Sequence, residues 1–192
     1  TRLQRYRDRE HVALDATTGD RRWSQHAGDL RVEAHSADLA FVTASENGTW
    51  TLSARNHTTG ERRWQRTASG WIHVTSSPNS SGSLFVEAST DGNDSFWALD
   101  RETGRLEWQY NASGYLYAPY AGPDRVVLTD NRPDSTRIAS VARATGEVAW
   151  TFDVPDDSYV RFRNESLLVV TNRTHVWGLA VDRSGPVDDR RR

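Results

Sequence analysis

The sequence contains no cysteine, no methionine and no lysine. Without cysteine the chain cannot form disulfides, zinc–thiolate sites or thiol nucleophiles. Because no initiator methionine is present, we expect a processed or excerpted chain. All 24 basic residues are arginine, and 26 acidic residues bring the net charge to −2. Nucleic acids bind to a basic surface, so we expect no nucleic-acid partner.

Long apolar segments are equally scarce. The mean hydropathy is −0.75, and no run approaches the roughly 20 apolar residues of a membrane-spanning helix. Aromatic residues nevertheless make up 10% of the chain and include eight tryptophans. This content is too high for a disordered chain, and 192 residues are enough to bury a large core. We therefore predict a folded domain without a membrane span.

A repeated motif occurs five times along the chain, at intervals of about 42 residues. The copies cover residues 12–23, 52–64, 98–108, 140–150 and, in degenerate form, 179–187. In the first four copies a glycine is followed four residues later by a tryptophan: Gly19 and Trp23, Gly60 and Trp64, Gly104 and Trp108, Gly146 and Trp150. Glycine adopts the positive φ of a tight turn, and tryptophan buries a large area. Each copy therefore predicts a turn followed by a strand that packs against the next repeat.

Short alternating or apolar segments lie between the motifs and are separated by turn residues. In the third repeat, the predicted strands cover 71–75, 83–88, 95–99 and 106–110. No segment shows the sustained apolar stripe of a helix. Four short antiparallel strands in about 42 residues are typical of one blade of a β-propeller. The predicted fold class is therefore all-β.

The pattern A-x-D-x-x-T-G-x-x-x-W resembles the tryptophan-docking motif of the PQQ-like β-propeller repeat family, which includes quinoproteins and BamB-type proteins. The resemblance covers residues 9–187 and leaves charged segments at 1–8 and 188–192. It implies four-stranded antiparallel blades, and it is specific for the fold rather than for an activity. Quinoprotein dehydrogenases of this family carry a vicinal cysteine pair against the cofactor, which this chain lacks. We therefore assign no catalytic, cofactor-binding or metal-binding residue and expect no cofactor.

The predicted strands amount to about four to five repeats. Three whole blades cover 31–66, 71–110 and 115–152, while 159–181 supplies three strands of another blade and 10–25 supplies two. Three arrangements fit this number: a four-bladed ring, part of a seven- or eight-bladed ring, or a ring completed by two chains. We favour the last two, because this family usually closes with seven or eight blades.

Seven of the eight asparagines lie in N-x-S/T acceptor sequences for N-linked glycans. This share far exceeds what 36 serines and threonines among 192 residues would give by chance, although a polar, turn-rich composition is the alternative explanation. All seven fall in predicted turns or loops, where a glycan has room: Asn47, Asn56, Asn79, Asn93, Asn111, Asn164 and Asn172. They predict a secreted or cell-surface glycoprotein. The absence of lysine and cysteine adds an archaeal origin to that prediction.

Other chemistry is sparse. None of the six histidines stands in a metal-binding spacing. Asp15 and Asp100 recur at one place of the motif and are interpreted as turn caps, while Asp91, Asn93 and Asp94 are interpreted as turn formers. Several aromatic residues lie on or near the first strand of a predicted blade: Trp71, Tyr115, Tyr117, Tyr120 and Tyr159. Two interpretations are open: these rings pack between blades, or they stack on a bound sugar or quinone.

Repeats and acceptor sequences together favour a non-catalytic extracellular binding or scaffold module that mediates protein–protein assembly at a cell surface. The inferred glycans decorate both blade faces, which leaves outer strands and any unclosed edge for a protein partner or for self-association. One alternative is a structural subunit of an extracellular filament, surface layer or virion. A further alternative is a quinone-dependent oxidoreductase, which requires a closed ring and convergent polar groups.

Overall fold

The structure is a computed structural model that describes residues 9–27, 29–36, 38–75, 82–156, 158–163 and 167–180. In this part of the chain there are strands and turns but no helix. The predicted charged segments at 1–8 and 188–192, and most of the fifth motif copy, lie outside the described residues.

Seventeen strands occur within the described ranges. In chain order they are β1 (Arg9–Leu14), β2 (Arg21–Ala27), β3 (Asp29–His35), β4 (Leu39–Glu46), β5 (Thr49–Asn56), β6 (Arg62–Ala68), β7 (Ile72–Val74), β8 (Ser83–Thr90), β9 (Asn93–Asp100), β10 (Leu106–Asn111), β11 (Tyr115–Ala121), β12 (Arg125–Asn131), β13 (Ser135–Ala142), β14 (Val148–Pro155), β15 (Tyr159–Arg163), β16 (Leu167–Thr171) and β17 (Val176–Ala180).

The strands form five sheets in which neighbours along the chain are neighbours in space. Three sheets have four strands each, β3–β6, β7–β10 and β11–β14, while β15–β17 form a three-stranded sheet and β1–β2 a two-stranded one. The described strand pairs are antiparallel. The predicted all-β fold with four-stranded antiparallel blades is confirmed, and the predicted blade limits differ from the observed ones by at most three residues.

The chain divides into two compact units. The first contains the described residues up to Gly92 and those from Trp97 to Glu107; the second contains Asn93–Phe96 and the described residues from Trp108 onward. Strands β9 and β10 therefore contribute residues to both units.

Each unit has an apolar core supplied mainly by the middle strands of its sheets. The core of the first unit includes Leu39, Phe41, Leu52, Leu84 and Val86, all 2% exposed or less. The core of the second unit includes Val127, Ile138, Leu168, Val170 and Leu179, again 1% exposed or less. Complete burial of one such side chain stabilises the fold by about 1.5–3 kcal/mol, so the second and third strands of the blades hold the sheets in place.

The first strands are less regular than the middle strands. The pairing register shifts between Val32 and Ala34 in β3, between Tyr117 and Tyr120 in β11, and between Val160 and Phe162 in β15. A bulge of this kind redirects side chains relative to the regular alternation of a strand. The side chains of the first strands therefore depart from a simple in–out pattern.

Candidate functional site

The four described motif turns share one backbone geometry. In each, the glycine N–H donates to the carbonyl four residues earlier at 2.8–2.9 Å, on Asp15, Asn56, Asp100 or Ala142. The same residue returns its own N–H to the carbonyl five residues ahead. Because Ala142 has no polar side chain, the backbone and the glycine are sufficient to form this turn.

Side-chain caps reinforce three of these turns. Asp15 Oδ1 accepts the Thr17 N–H at 2.7 Å, and Asn56 Oδ1 accepts the Thr58 N–H at 2.9 Å. The hydrogen bond from the Thr17 N–H, followed by that from the Arg22 guanidinium, lowers the pKa of Asp15 to about 2. The hydroxyl and N–H of Thr103 likewise lower the pKa of Asp100.

Three motif tryptophans reach the motif turn of the following repeat: Trp23, Trp64 and Trp108. The Trp64 indole N–H donates to the Arg101 carbonyl at 2.8 Å, and a Cβ on Gly104 would lie 2.6 Å from the Trp64 ring. The pairs Trp23 with Gly60 and Trp108 with Gly146 have the same arrangement, since a Cβ on the glycine would lie 2.6 and 2.7 Å from the tryptophan side chain. Only a residue without Cβ leaves room for this packing.

Trp150 is buried, with 7% exposure, and no hydrogen bond to its indole nitrogen is found among the described residues. The turn that corresponds to its place in the series is in the fifth motif copy, outside the described residues.

The described glycan acceptors lie at turns and strand ends. Asn47 is an exposed turn residue with φ of 50°. Asn56 and Asn111 end their strands, β5 and β10, and Asn172 directly follows β16. Asn79 and Asn164 lie outside the described residues.

Asn93 differs from its predicted position within a turn. It begins β9, and the turn before it consists of Asp91 and Gly92, with φ of 52° and 79°. A two-residue hairpin turn of this type requires positive φ at both central residues, which leaves Asn93 in the strand. Asp94 is likewise in β9, and its carboxylate accepts the Leu116 N–H at 3.3 Å.

The two-stranded sheet β1–β2 leaves apolar side chains exposed. Leu14 is 59% exposed and Val12 is 44% exposed. Leu99 and Val141, which occupy the place of Leu14 relative to the motif glycine in later repeats, are 0% exposed. The later residues lie in four-stranded sheets, whereas β1 pairs only with β2 among the described strands. Among the described strands, β1 is therefore an edge strand with exposed apolar side chains.

A groove lies in the second unit beside the first strands β11 and β15. Its cavity volume is about 470 Å³, and the exposed rings of Tyr115, Tyr117 and Tyr159 line it. We call it the tyrosine groove and include in it the polar side chains Thr129, Asn131 and Ser158. Its volume is within the range of about 300–1,000 Å³ that is usual for small-ligand sites.

Polar contacts hold the groove in shape. Arg132 forms a two-point ion pair with Asp130 at 2.9 and 2.8 Å, and Asp130 is 1% exposed. Asn131 accepts the Thr136 hydroxyl at 3.0 Å. The Arg161 guanidinium lies 5.1 Å from the ring centre of Tyr159, a distance typical of a cation–π contact.

The sequence-predicted aromatic group is only partly brought together. Tyr115, Tyr117 and Tyr159 line one groove, whereas Tyr120 packs against the core of the second unit and Trp71 belongs to the first unit. The register shift in β11 leaves Tyr117 opposite Thr129 and Tyr120 opposite Val127, so the two rings lie at different places along the strand pair.

One polar cluster in the first unit was not predicted. The nearly buried Glu33 carboxylate accepts the Thr43 hydroxyl at 2.8 Å and lies 2.9 Å from His73 Nδ1. Glu87, 4% exposed, is the strand partner of His73. The sequence contains one indication of this cluster: Glu87 occupies the repeat position that Thr43 and Thr129 occupy in other repeats. The placement of Glu33 depends on the bulge in β3, which the sequence pattern does not reveal.

Within the described ranges, no group of three or more histidine, aspartate or glutamate side chains is arranged to hold a metal ion. No helix in the same ranges has the length and apolarity needed to cross a membrane.

Successive four-stranded antiparallel meanders, joined by a recurring tryptophan-to-turn contact, define a protein of the β-propeller class. A family model described as outer membrane protein assembly factor BamB matches residues 3–83 and 51–187, and the chain belongs to this family. None of the curated proteins compared with the chain matches it significantly.

Solved structures share the fold at low sequence identity. The β-propeller domain of the trilobed protease from Pyrococcus furiosus aligns with a TM-score of 0.60 and 9% identity, covering 94% of this chain and 62% of that one. The Dos1 propeller aligns with a TM-score of 0.54 and 13% identity, covering 88% and 49%. The quinohemoprotein alcohol dehydrogenase ADHIIG from Pseudomonas putida HK5 aligns with a TM-score of 0.50 and 15% identity, covering 81% and 33%. The chain thus spans from a third to about six tenths of these proteins, and the likeness is one of fold.

Proposed function

We propose that this chain is a non-catalytic binding module that assembles with other proteins at a cell surface and carries N-linked glycans. The observation that supports it best is that β1 has one described neighbour and exposes Leu14 and Val12, whereas Leu99 and Val141, at the place of Leu14 in the third and fourth repeats, are buried. An edge strand presents unpaired backbone N–H and C=O groups with which another strand can pair. The proposed contact is therefore strand addition to β1, by a segment of a partner protein or of a second copy.

Membership of the family described by the BamB assembly factor supports a role in protein assembly. Family membership is also compatible with enzymes, because one fold hosts many functions. The chain lacks the cysteine pair of the quinoproteins, and its pocket residues form no acid–base or nucleophile constellation that we can assign. Binding is therefore preferred over quinone-dependent oxidation.

The edge contact is tested with Leu14→Arg, which places a charge in the apolar edge. The matched control is Val148→Arg, because Val148 is 48% exposed and lies on the outer strand of a four-stranded sheet. We expect crosslinking of the protein at the surface of its own cells to join β1 to a partner. Leu14→Arg should lower the crosslinked fraction about tenfold, and Val148→Arg should leave it unchanged.

Native mass determines which partner is used. A discrete dimer of the purified chain indicates a second copy, a crosslinked protein of different mass indicates a foreign partner, and a polydisperse ladder indicates a structural filament or layer. A monomer whose source crosslinks avoid β1 overturns the proposed contact.

The glycan proposal is tested by intact mass on protein from its own source. Hexose-sized increments above 21.7 kDa that disappear in Asn→Gln variants of the seven acceptors support it. An unmodified chain removes the main support for a surface location.

The enzyme alternative has its own test. We expect PQQ with Ca²⁺ to leave the melting temperature unchanged, because a ligand must stabilise a protein that it binds in the folded state. A rise in melting temperature together with dye-linked oxidation of an alcohol would contradict the non-catalytic role.

A further inference from the structure

We propose that the tyrosine groove of the second unit binds the end of a neutral oligosaccharide. Three tyrosines line it with rings that are 60%, 48% and 56% exposed, at Tyr115, Tyr117 and Tyr159. Large aromatic side chains usually contribute to a core, so three exposed rings around one cavity require an explanation beyond packing.

These rings favour a ligand with flat apolar faces. A pyranose has flat faces of C–H groups, and such a face packs against the negatively polarised face of a phenol ring. Tyr115 and Tyr117 are two residues apart on β11 and therefore project to the same side of the sheet. Tyr159 adds a ring from β15, so that the groove presents aromatic surface from two strands.

The remaining lining residues favour a ligand that also carries hydrogen-bonding groups. Thr129, Asn131 and Thr136 contribute hydroxyl and amide groups. The Thr129 hydroxyl donates to the Tyr117 carbonyl and the Thr136 hydroxyl to Asn131 Oδ1, so the hydroxyl oxygens can accept from a ligand and the Asn131 amide N–H groups can donate. Ser158 also lines the groove; it is 6% exposed, and its hydroxyl has no partner among the described residues. A buried hydroxyl without a partner is costly, and a ligand hydroxyl would supply that partner. Sugar hydroxyls match this set because they too donate and accept.

The charges of the groove favour a neutral ligand over an anionic one. The guanidinium of the lining residue Arg132 is already paired at two points with the buried Asp130, and the Arg161 guanidinium lies against the Tyr159 ring. Asp156 adds a carboxylate to the lining. A phosphate or a polycarboxylate quinone would meet this carboxylate and gain little from a neutralised arginine.

The aromatic surface is also held in place before a ligand binds. Arg161 lies against the Tyr159 ring and donates from Nε to the Thr171 hydroxyl at 3.4 Å. A side chain that is restrained in the free protein loses less conformational entropy on binding. Tyr159 is therefore suited to act as a fixed stacking surface.

The test is a titration of the ¹⁵N-labelled full chain with maltotriose, mannotriose, cellotriose and chitotriose, followed by amide chemical shifts. We expect at least one trisaccharide to bind, with shifts confined to β11, β12, β13 and β15 and to Asp156 and Ser158. Tyr117→Ala should weaken that binding about fivefold or more, whereas Tyr117→Phe should keep it within about twofold, because the ring remains. Val148→Ala, on β14, should leave the affinity unchanged.

The opposing outcomes are equally defined. No shift with any of the four sugars at millimolar concentration overturns the proposal. Binding of PQQ or of a proline-rich peptide at these tyrosines, without sugar binding, overturns it in favour of a quinone or a peptide site. Circular dichroism of each variant checks that the fold is retained. Because the assembly proposal is tested at β1, in the first unit, each proposal can fail without the other.

Discussion

Gly104 combines two constraints in one residue. Its φ of +69° lies in the left-handed region, and a Cβ there would meet the Trp64 ring at 2.6–2.9 Å. Gly19 has a similar φ of +78°, but a Cβ would meet nothing within 4 Å. Alanine substitutions at these two glycines therefore separate the cost of backbone strain from the cost of disturbing the tryptophan contact.

We expect Gly104→Ala to lower the free energy of unfolding by about 2–5 kcal/mol, the sum of left-handed strain and overpacking. Gly19→Ala should cost only about 1–2 kcal/mol, from strain alone. Urea denaturation followed by tryptophan fluorescence measures both. Equal losses in the two variants would show that the indole contact contributes nothing.

Asp15 introduces a pH dependence at one motif turn. Its pKa is lowered from 3.8 to about 2, chiefly by the hydrogen bond from the Thr17 N–H. Because the folded pKa lies below the unfolded one, the carboxylate stabilises the fold above pH 3.8. This stabilisation is lost as the pH falls toward about 2.

We expect Asp15→Asn to fold normally and to remove this contribution, because Asn56 caps the next turn in the same way without titrating. The check is the midpoint of urea unfolding of wild type and variant between pH 5 and pH 2. If the midpoint falls equally with pH in the variant and in wild type, other carboxylates cause the loss of stability in acid.

At the scale of elements, the link between β10 and β11 is held by acids from strands on either side. Asp130 of β12 accepts the N–H groups of Ser113 and Gly114 at 3.1 and 2.8 Å, while Asp94 of β9 accepts that of Leu116. These carboxylates accept backbone N–H groups of the link and of the start of β11. The segment between the two strands is thereby ordered without secondary structure of its own.

We expect Asp130→Ala to cost about 3–5 kcal/mol, because it leaves Arg132 and two backbone donors without their buried partner. The comparison is Asp153→Ala, which removes the ion pair of Asp153 with Arg137 across β13 and β14 at 2.7 Å. Since those side chains are 50% and 32% exposed, this loss should stay below about 1 kcal/mol. Thermal and urea unfolding measure both losses of stability. A larger loss for Asp153→Ala than for Asp130→Ala would contradict this prediction.

For the whole molecule, the order of stability follows the position of a strand in its sheet. β4, β8 and β12 have hydrogen-bonded neighbours on both sides and bury nearly all of their central residues. β1 pairs with one described neighbour and exposes Leu14. Local opening is easiest where few apolar contacts and few shared hydrogen bonds must be broken.

We expect hydrogen exchange of the isolated chain to be slowest at Phe41, Phe85 and Val127 and fastest in β1. Mass spectrometry of peptic fragments, or amide NMR, measures it. Protection of β1 equal to that of β8 in a monomeric sample would show that its edge is already covered within the chain.

The local features of this protein were predictable from residue order. The repeat of about 42 residues, the antiparallel blades and the turn glycines depend on patterns of neighbours along the chain, which the sequence displays directly. The acceptor asparagines are equally visible, and their occupancy stays a prediction. Asn93 was misplaced by a single turn position, because the sequence shows that a turn is present but not which two residues have positive φ.

Only the tertiary structure decided which distant residues meet. The three tyrosines converge because β11 and β15 are in contact, while Tyr120 packs against the core of the second unit. The exposure of Leu14 and the burial of Asp130 depend in the same way on which neighbouring strands are present. Burial and convergence are properties of packed sheets, and residues far apart in the chain acquire them together only when the strands have paired.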